Sequence, residues 1–319
     1  MLFLNEDTKY IASDSAWGVV DKAVYNMDLL VESMGIPDGL YEQFFSDDPI
    51  IMGYEILGEM NSGWDALEKD MLLCEAHAVI QGIPLNEGAF TEKMKSWWQA
   101  IKNFFAKIWA GLKDFFRKVW VAISTKFQNA ERWWNIHQDE ITVKSVSGVS
   151  GYSNIMTLAA NVGTVKSKIA WLDKSPADNK EAYEKALEEL DNTFNKESLR
   201  KLVFGEKVDN LSVTKDQCKI AITGLSSISK TLTDFQNSLG KSSQEAIKTA
   251  EEGLAKADKD EKKEESEKLS AKVKYLKKKL SIYQEIASLF ASASSQSVSL
   301  AYSCAKKMYL ESKRSNRPE

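Results

Sequence analysis

Side chains that carry protons, electron pairs or metal ions are scarce in this chain of 319 residues. Its only imidazoles are His77 and His137, and neither sits in a zinc-ligand spacing. Three cysteines (Cys74, Cys218 and Cys304) are odd in number and far apart. That pattern predicts neither a disulfide framework nor a metal cluster, and reads as buried thiols in a reducing compartment. No glycine-rich phosphate loop, nucleophile elbow or metalloprotease helix is present. Paired acids such as Glu188 and Glu189 fall on a helix face expected to be solvated. The expectation is a protein that is not an enzyme and that needs no cofactor or metal.

The spacing that stands out is aromatic. From Thr91 to about residue 140 the chain repeats every 11 residues: Trp98, Trp109, Trp120; Ile101, Leu112, Ile123; Phe105, Phe116, Phe127. Eleven residues make three helical turns at about 3.67 per turn, so each set stacks on one face of a single long helix. Lysines repeat beside them, Lys102 with Lys113 and Lys107 with Lys118. Between Glu92 and Lys126 there are eight basic residues and two acids. Two readings of the face Trp98, Ile101, Phe105, Trp109, Leu112, Phe116 and Trp120 follow. Trp and Phe flanked by lysine is the pattern of a helix lying in an anionic membrane surface. An aromatic stripe at helical spacing is equally the pattern of a helix packed as core. Stacking on nucleic acid is a third reading, without a recognition motif behind it.

The elements around this helix are predicted to be helical too, since only Pro176 and Pro318 follow Pro84. The fold class expected is all-α, in three parts. Residues 1–87 form an acidic helical leader, with helices predicted near 14–30 and 65–81 and turns at 35–39 and 47–49. Residues 88–145 hold the basic aromatic helix. Residues 146–319 form an elongated helical bundle, entered through a Gly/Ser linker at 145–153. Its helices are predicted at 154–172, 179–195 and 214–239, the last stopped by Gly240. A final long helix carries Leu269, Val273, Leu276, Leu280, Tyr283, Ala287, Phe290, Ser294, Ser297, Ala301, Cys304 and Met308, alternating by four and three. That heptad seam suits a coiled coil or long bundle helix and offers a route to self-association. The charge run 251–279 reads as a solvated face. The stretches 145–165, studded with Gly, Ser and Asn, and 286–305, with seven serines in 20 residues, are uncharged but too polar to span a membrane. The N-terminal residues lack the charged and apolar regions of a secretory signal, so synthesis in the cytoplasm is expected.

Charge divides the chain sharply. Residues 1–87 carry 17 acids and three bases, a net of −14; residues 88–319 carry 39 bases and 29 acids, a net of +10. At the boundary stand Leu73-Cys74-Glu75-Ala76 and Leu85-Asn86-Glu87-Gly88. Leu-x-Glu followed by Gly or Ala occurs at these two places alone. These tetrapeptides resemble sites of the prohead maturation protease of large tailed bacteriophages, which cleaves after Glu in such a context. With the acidic leader and basic body, the layout resembles an internal head protein of such a phage. The resemblance implies a precursor cut at Glu75–Ala76 or Glu87–Gly88, with capsid or scaffold proteins and the maturation protease as partners. It also implies a mature body held with packaged DNA through non-specific charge, and a final location inside the head after synthesis in the host cytoplasm. Ejection with the genome would bring the aromatic helix to the host envelope. A membrane-binding or pore-forming bacterial bundle is the alternative, as is a structural adaptor whose aromatic helix is core. The opposite charges are compatible with a leader that folds back on the body, without deciding it.

Overall fold

A computed structural model of the chain describes residues 56–69, 88–257 and 263–315. All of them belong to one compact unit, Asp48–Glu319. The helix and turns expected within residues 14–49, and Glu75, Ala76 and Glu87, lie outside the described residues. The elements in chain order are α1 (residues 56–69), α2 (Gly88–His137), β1 (Ser145–Tyr152), α3 (Val162–Ile169), α4 (Lys180–Thr193), α5 (Lys196–Phe204), β2 (Lys207–Thr214), α6 (Lys215–Ile222), α7 (Leu225–Ala257) and α8 (Lys263–Ser315). The fold is all-α, with one small two-stranded sheet as its exception.

Three long helices carry the architecture. α8 is the central strut: α2, α4, α5, α6 and α7 all pack against it. The twelve residues of its heptad seam are buried. So are Ile282, Ile286, Leu289, Ala291, Val298 and Ala305, which lie off that seam. A helix apolar on one stripe needs one partner; a helix buried on several sides needs several. The seam is thus used within the chain, by a bundle instead of a two-stranded coiled coil. Small residues at Ala287, Ser294, Ser297 and Ala301 keep its centre thin, and Ser294 returns its hydroxyl to the Phe290 carbonyl at 2.7 Å. The charge run is solvated only in part, since Lys279 near its end is buried.

α2 and α7 run antiparallel and fit by notches. Gly253 lies under the Trp98 indole so closely that a Cβ there would stand 2.4 Å from ring carbons. Gly240 takes Trp109 in the same way, with a would-be Cβ contact of 2.9 Å. Gly240 was expected to stop a helix at 239; instead α7 continues to Ala257, and the glycine serves close approach. The energetic cost of a mid-helix glycine, about 1 kcal/mol relative to alanine, is offset by the ring that occupies the space. α2 runs parallel to α8, as Lys126–Ser295, Trp133–Tyr302 and His137–Tyr309 contacts show in sequence.

Two expectations fail in informative ways. Residues 145–153 are no linker: β1 pairs antiparallel with β2, with Val146 opposite Val213 and Tyr152 opposite Lys207. Glycine and serine hid a strand whose only deeply buried side chain is Val146. Gly148 there adopts φ 79° at an irregularity of the pairing, and its N–H donates to Asn210 Oδ1 at 3.0 Å. Residues 154–172 are likewise not one helix. A short 3-10 turn at Ile155–Thr157 precedes α3, and a second, Ala170–Asp173, follows it. Backbone bonds from Ser153 to Glu206 and from Asn154 to Phe204 hold the start of this stretch on the sheet side, out of line with a continuous helix.

Similarly, the helix expected at 214–239 breaks between Ile222 and Leu225. There Gly224 presses against Ala159, leaving no room for a side chain. The starts at Asn179 and Thr214 fall where expected, whereas α5, capped by Asn195, was not expected. Asn179 accepts from Ala182 N at 2.8 Å, Asn195 and Ser198 form a reciprocal box, and Thr214 and Gln217 form another. The helix that begins at Asn179's cap ends at Thr193, with Tyr183 and Leu190 buried.

Candidate functional site: the seat of an acidic helix

α1 is the one part of the acidic leader among the described residues, and it lies on the basic body. Its residues Leu57, Met60 and Trp64 are buried, and Ile56 and Leu67 are half-buried. The spacing 57, 60, 64, 67 places these on one face of a helix. Opposite stand Trp97, Phe104 and Phe105 of α2. Trp64 packs on Phe104 and Phe105 with ring centroids 5.9 and 6.2 Å apart. Gly63 lets α1 come close, since a Cβ there would stand 3.0 Å from Phe104 Cε2. The Trp97 indole N–H donates to the Leu67 carbonyl of α1 at 3.0 Å, tying the two helices together.

Charge rims this apolar contact from both α2 and α8. Glu59 pairs with Lys107 at 3.4 Å and Glu68 with Lys274 at 2.6 Å; Lys277 donates to Asn61 Oδ1 at 2.8 Å. Burial pushes the Lys277 ammonium below the usual lysine range, and Lys278 adds to that, while Asp65, Glu68 and Asp191 oppose it. The pairs are open to water, so each is worth ~0–1 kcal/mol. Burying Leu57, Met60 and Trp64 is worth about 1.5–3 kcal/mol for each aliphatic-sized side chain. Apolar contact therefore holds the helix, and the charges fix which way round it lies. Folding back of leader on body, which charge left open, is present for these fourteen residues, for a different physical reason.

The aromatic face of α2 is for the most part inside. Trp98, Ile101, Phe105, Leu112 and Phe116 are buried, Trp98 to 1% exposure, and Trp109 is half-buried in the Gly240 notch. Trp120 departs from its set, at 40% exposure beside Val121 at 59%. The reason is geometric: at 3.6 residues per turn an 11-residue repeat drifts by about 20° each time. Two repeats carry Trp120 out of the seam that Trp98 occupies, while Ile101, Leu112 and Ile123 remain inside it.

The basic flank is spoken for. Lys102 pairs with Glu251 of α7 at 2.7 Å, Lys107 with Glu59 of α1, and Lys118 with Asp114 at 3.1 Å; Lys113 lies 5.5 Å over the Trp109 ring. Gly88, one of the expected processing residues, is the first residue of α2. α1 itself was only half anticipated. A helix was expected over 65–81; residues 65–69 are helical, within a helix already formed by residue 56, and residues 70–81 lie outside the described residues. Gly58 and Gly63 obscured it, although the Leu57, Met60 and Trp64 spacing was there to be found.

A second polar cluster ties the 173–178 segment down. Asp173 accepts from Tyr283 at 2.5 Å, and Asp178 accepts from Tyr183 at 3.0 Å and from Lys268 at 3.3 Å. Burial, reinforced by these carboxylates, holds Tyr183 and Tyr283 well above the usual tyrosine range, as neutral donors. Its groups satisfy one another, which is a structural role. Among the described residues no cluster of His, Cys, Asp or Glu could hold a metal ion. No described helix is long and apolar enough to cross a membrane. Comparison with family models, with curated proteins and with solved structures finds no match to this chain.

Proposed function

We propose that the chain is a non-enzymatic internal head protein of a large tailed bacteriophage. It would be made as a precursor whose acidic leader covers part of a basic body until maturation cuts the chain after Glu75 or Glu87. One observation carries the reading. Both Leu-x-Glu-small bonds, Glu75–Ala76 and Glu87–Gly88, come after the described residues of α1 and no later than the start of α2 at Gly88, where the charge changes sign. A cut after Glu87 separates −14 from +10, and one after Glu75 separates −13 from +9; neither severs a described helix. The body that remains would bind DNA through counterion release, with capsid or scaffold proteins and the protease as partners during assembly.

An envelope role after ejection is part of the proposal only in a changed form. With Trp98, Phe105 and Leu112 buried against α7 and α8, lipid contact through that face needs the bundle to open. The same burial favours a second reading, an adaptor whose aromatic helix is core. N-terminal sequencing and intact mass of the protein from its native source test the first. A start at Ala76 or Gly88 is expected; a start at Met1 in mature particles would overturn processing and leave the adaptor.

A further inference from the structure

We infer that cutting the chain does not release the leader: residues 56–69 remain in their seat as a separately bound amphipathic helix. The inference deepens the proposed processing and rests on it only for the natural occurrence of the cut. The described contacts of α1 are made with the body itself. Met60 and Trp64 are buried against the body, Gly63 lets Phe104 approach, and Trp97 reaches the Leu67 carbonyl. The polar rim comes from two different helices, Lys107 on α2 and Lys274 and Lys277 on α8, so the seat is built by the bundle itself.

A short helix with few tertiary contacts is marginal in water, so this segment folds as it docks and opens as it leaves. The seat accordingly recognises an amphipathic helix with apolar residues at the 57, 60 and 64 spacing and a glycine before the tryptophan. Because the ion pairs are exposed and the buried contacts apolar, salt weakens the association little. A cut precursor is then a two-chain particle, and removing the leader is a second step after cleavage.

The test uses the full chain with a recognition sequence for a site-specific protease placed within residues 77–84. After digestion at micromolar protein, size exclusion and intact mass read which peak holds the leader fragment. Co-elution with the body at both low and 1 M salt is expected. Met60→Asp should release the fragment while the body keeps its elution volume and helical circular dichroism. Gly63→Leu is the milder variant, should Met60→Asp fold poorly, and should raise the released share at least fivefold. Separate elution of the unsubstituted fragment overturns the inference, as does loss at 1 M salt alone, or retention in both variants. None of these outcomes bears on whether the cut occurs in the native source, which the N-terminal sequence decides.

Discussion

Two glycines of α1, five residues apart, make opposite demands. Gly58 faces open space, with nothing within 4 Å of a would-be Cβ, whereas a Cβ on Gly63 would meet Phe104 at 3.0 Å. Gly58→Ala gains only helix propensity, about 0.8–1 kcal/mol. Gly63→Leu gains nearly the same propensity but drives three further carbons toward a ring already at its limit of approach. Overpacking costs about 1–3 kcal/mol, and the upper half applies where the first added atom is already tight. The net for Gly63→Leu is a loss of about 1–2 kcal/mol in holding α1 down. Amide hydrogen exchange of a peptic fragment covering 56–69 reads that opening directly. Since about 1.4 kcal/mol is tenfold, Gly58→Ala should slow exchange there about fivefold, and Gly63→Leu should speed it about five- to thirtyfold. Exchange in the centre of α8 should be unchanged in both. If Gly63→Leu slowed exchange as Gly58→Ala does, α1 would not be seated on Phe104 and the described interface would be wrong.

The same contrast recurs in the bundle. Gly253→Ala would place a carbon 2.4 Å from the buried Trp98 ring and should lower stability by about 1–3 kcal/mol, whereas Gly111→Ala, with open space around it, should raise it by up to about 1 kcal/mol; urea midpoints separate the two. Lys279, 6% exposed, has its ammonium held below the usual lysine range by burial, with Asp173 and Glu245 opposing. Its unfolded form binds more protons between the two pKa values, so wild-type stability should rise as pH climbs through that interval toward 10.5. Lys279→Met should be the more stable protein at neutral pH, by about 1 kcal/mol or more, and the gap should close in alkali; a constant gap would show that charge burial is not its cause. Burial pushes the Cys218 thiol up to about 12 and raises Cys304 as well. Alkylation at pH 8 followed by peptide mass mapping should therefore leave both unmodified in the folded protein and label both in urea.

Long periodic elements were legible and short ones were not. The 11-residue and heptad patterns placed α2 and α8 because dozens of residues agree on one period, and twelve seam positions of α8 are all interior. Periodicity could not say who the partners are, so it left the aromatic face open between lipid and core. That choice depends on Gly240 and Gly253, residues 131 and more positions along the chain from the rings that they receive. The strand β1 was missed because its pairing with β2 is made 55 to 69 residues away, with sequence that carries turn residues and little alternation. Likewise the 154–172 and 214–239 segments had helical composition throughout, and what broke them was tertiary: a backbone tie to the sheet and the contact of Gly224 with Ala159. Charge left open whether leader and body would meet. It did not predict that three apolar side chains would do most of the holding.

Trp98 in the Gly253 notch and Trp109 in the Gly240 notch also set how the bundle responds to force. Sliding α2 by one helical turn along α7, about 5.4 Å, would move each indole off its glycine and onto a residue with a side chain, Thr249 or Ala257 in place of Gly253. Both notches must be vacated together, so tension along the axis loads two large rings in shear at once, whereas prying the helices apart from one end empties the notches one at a time. A bundle pinned in this way should resist axial pulling far better than sideways peeling.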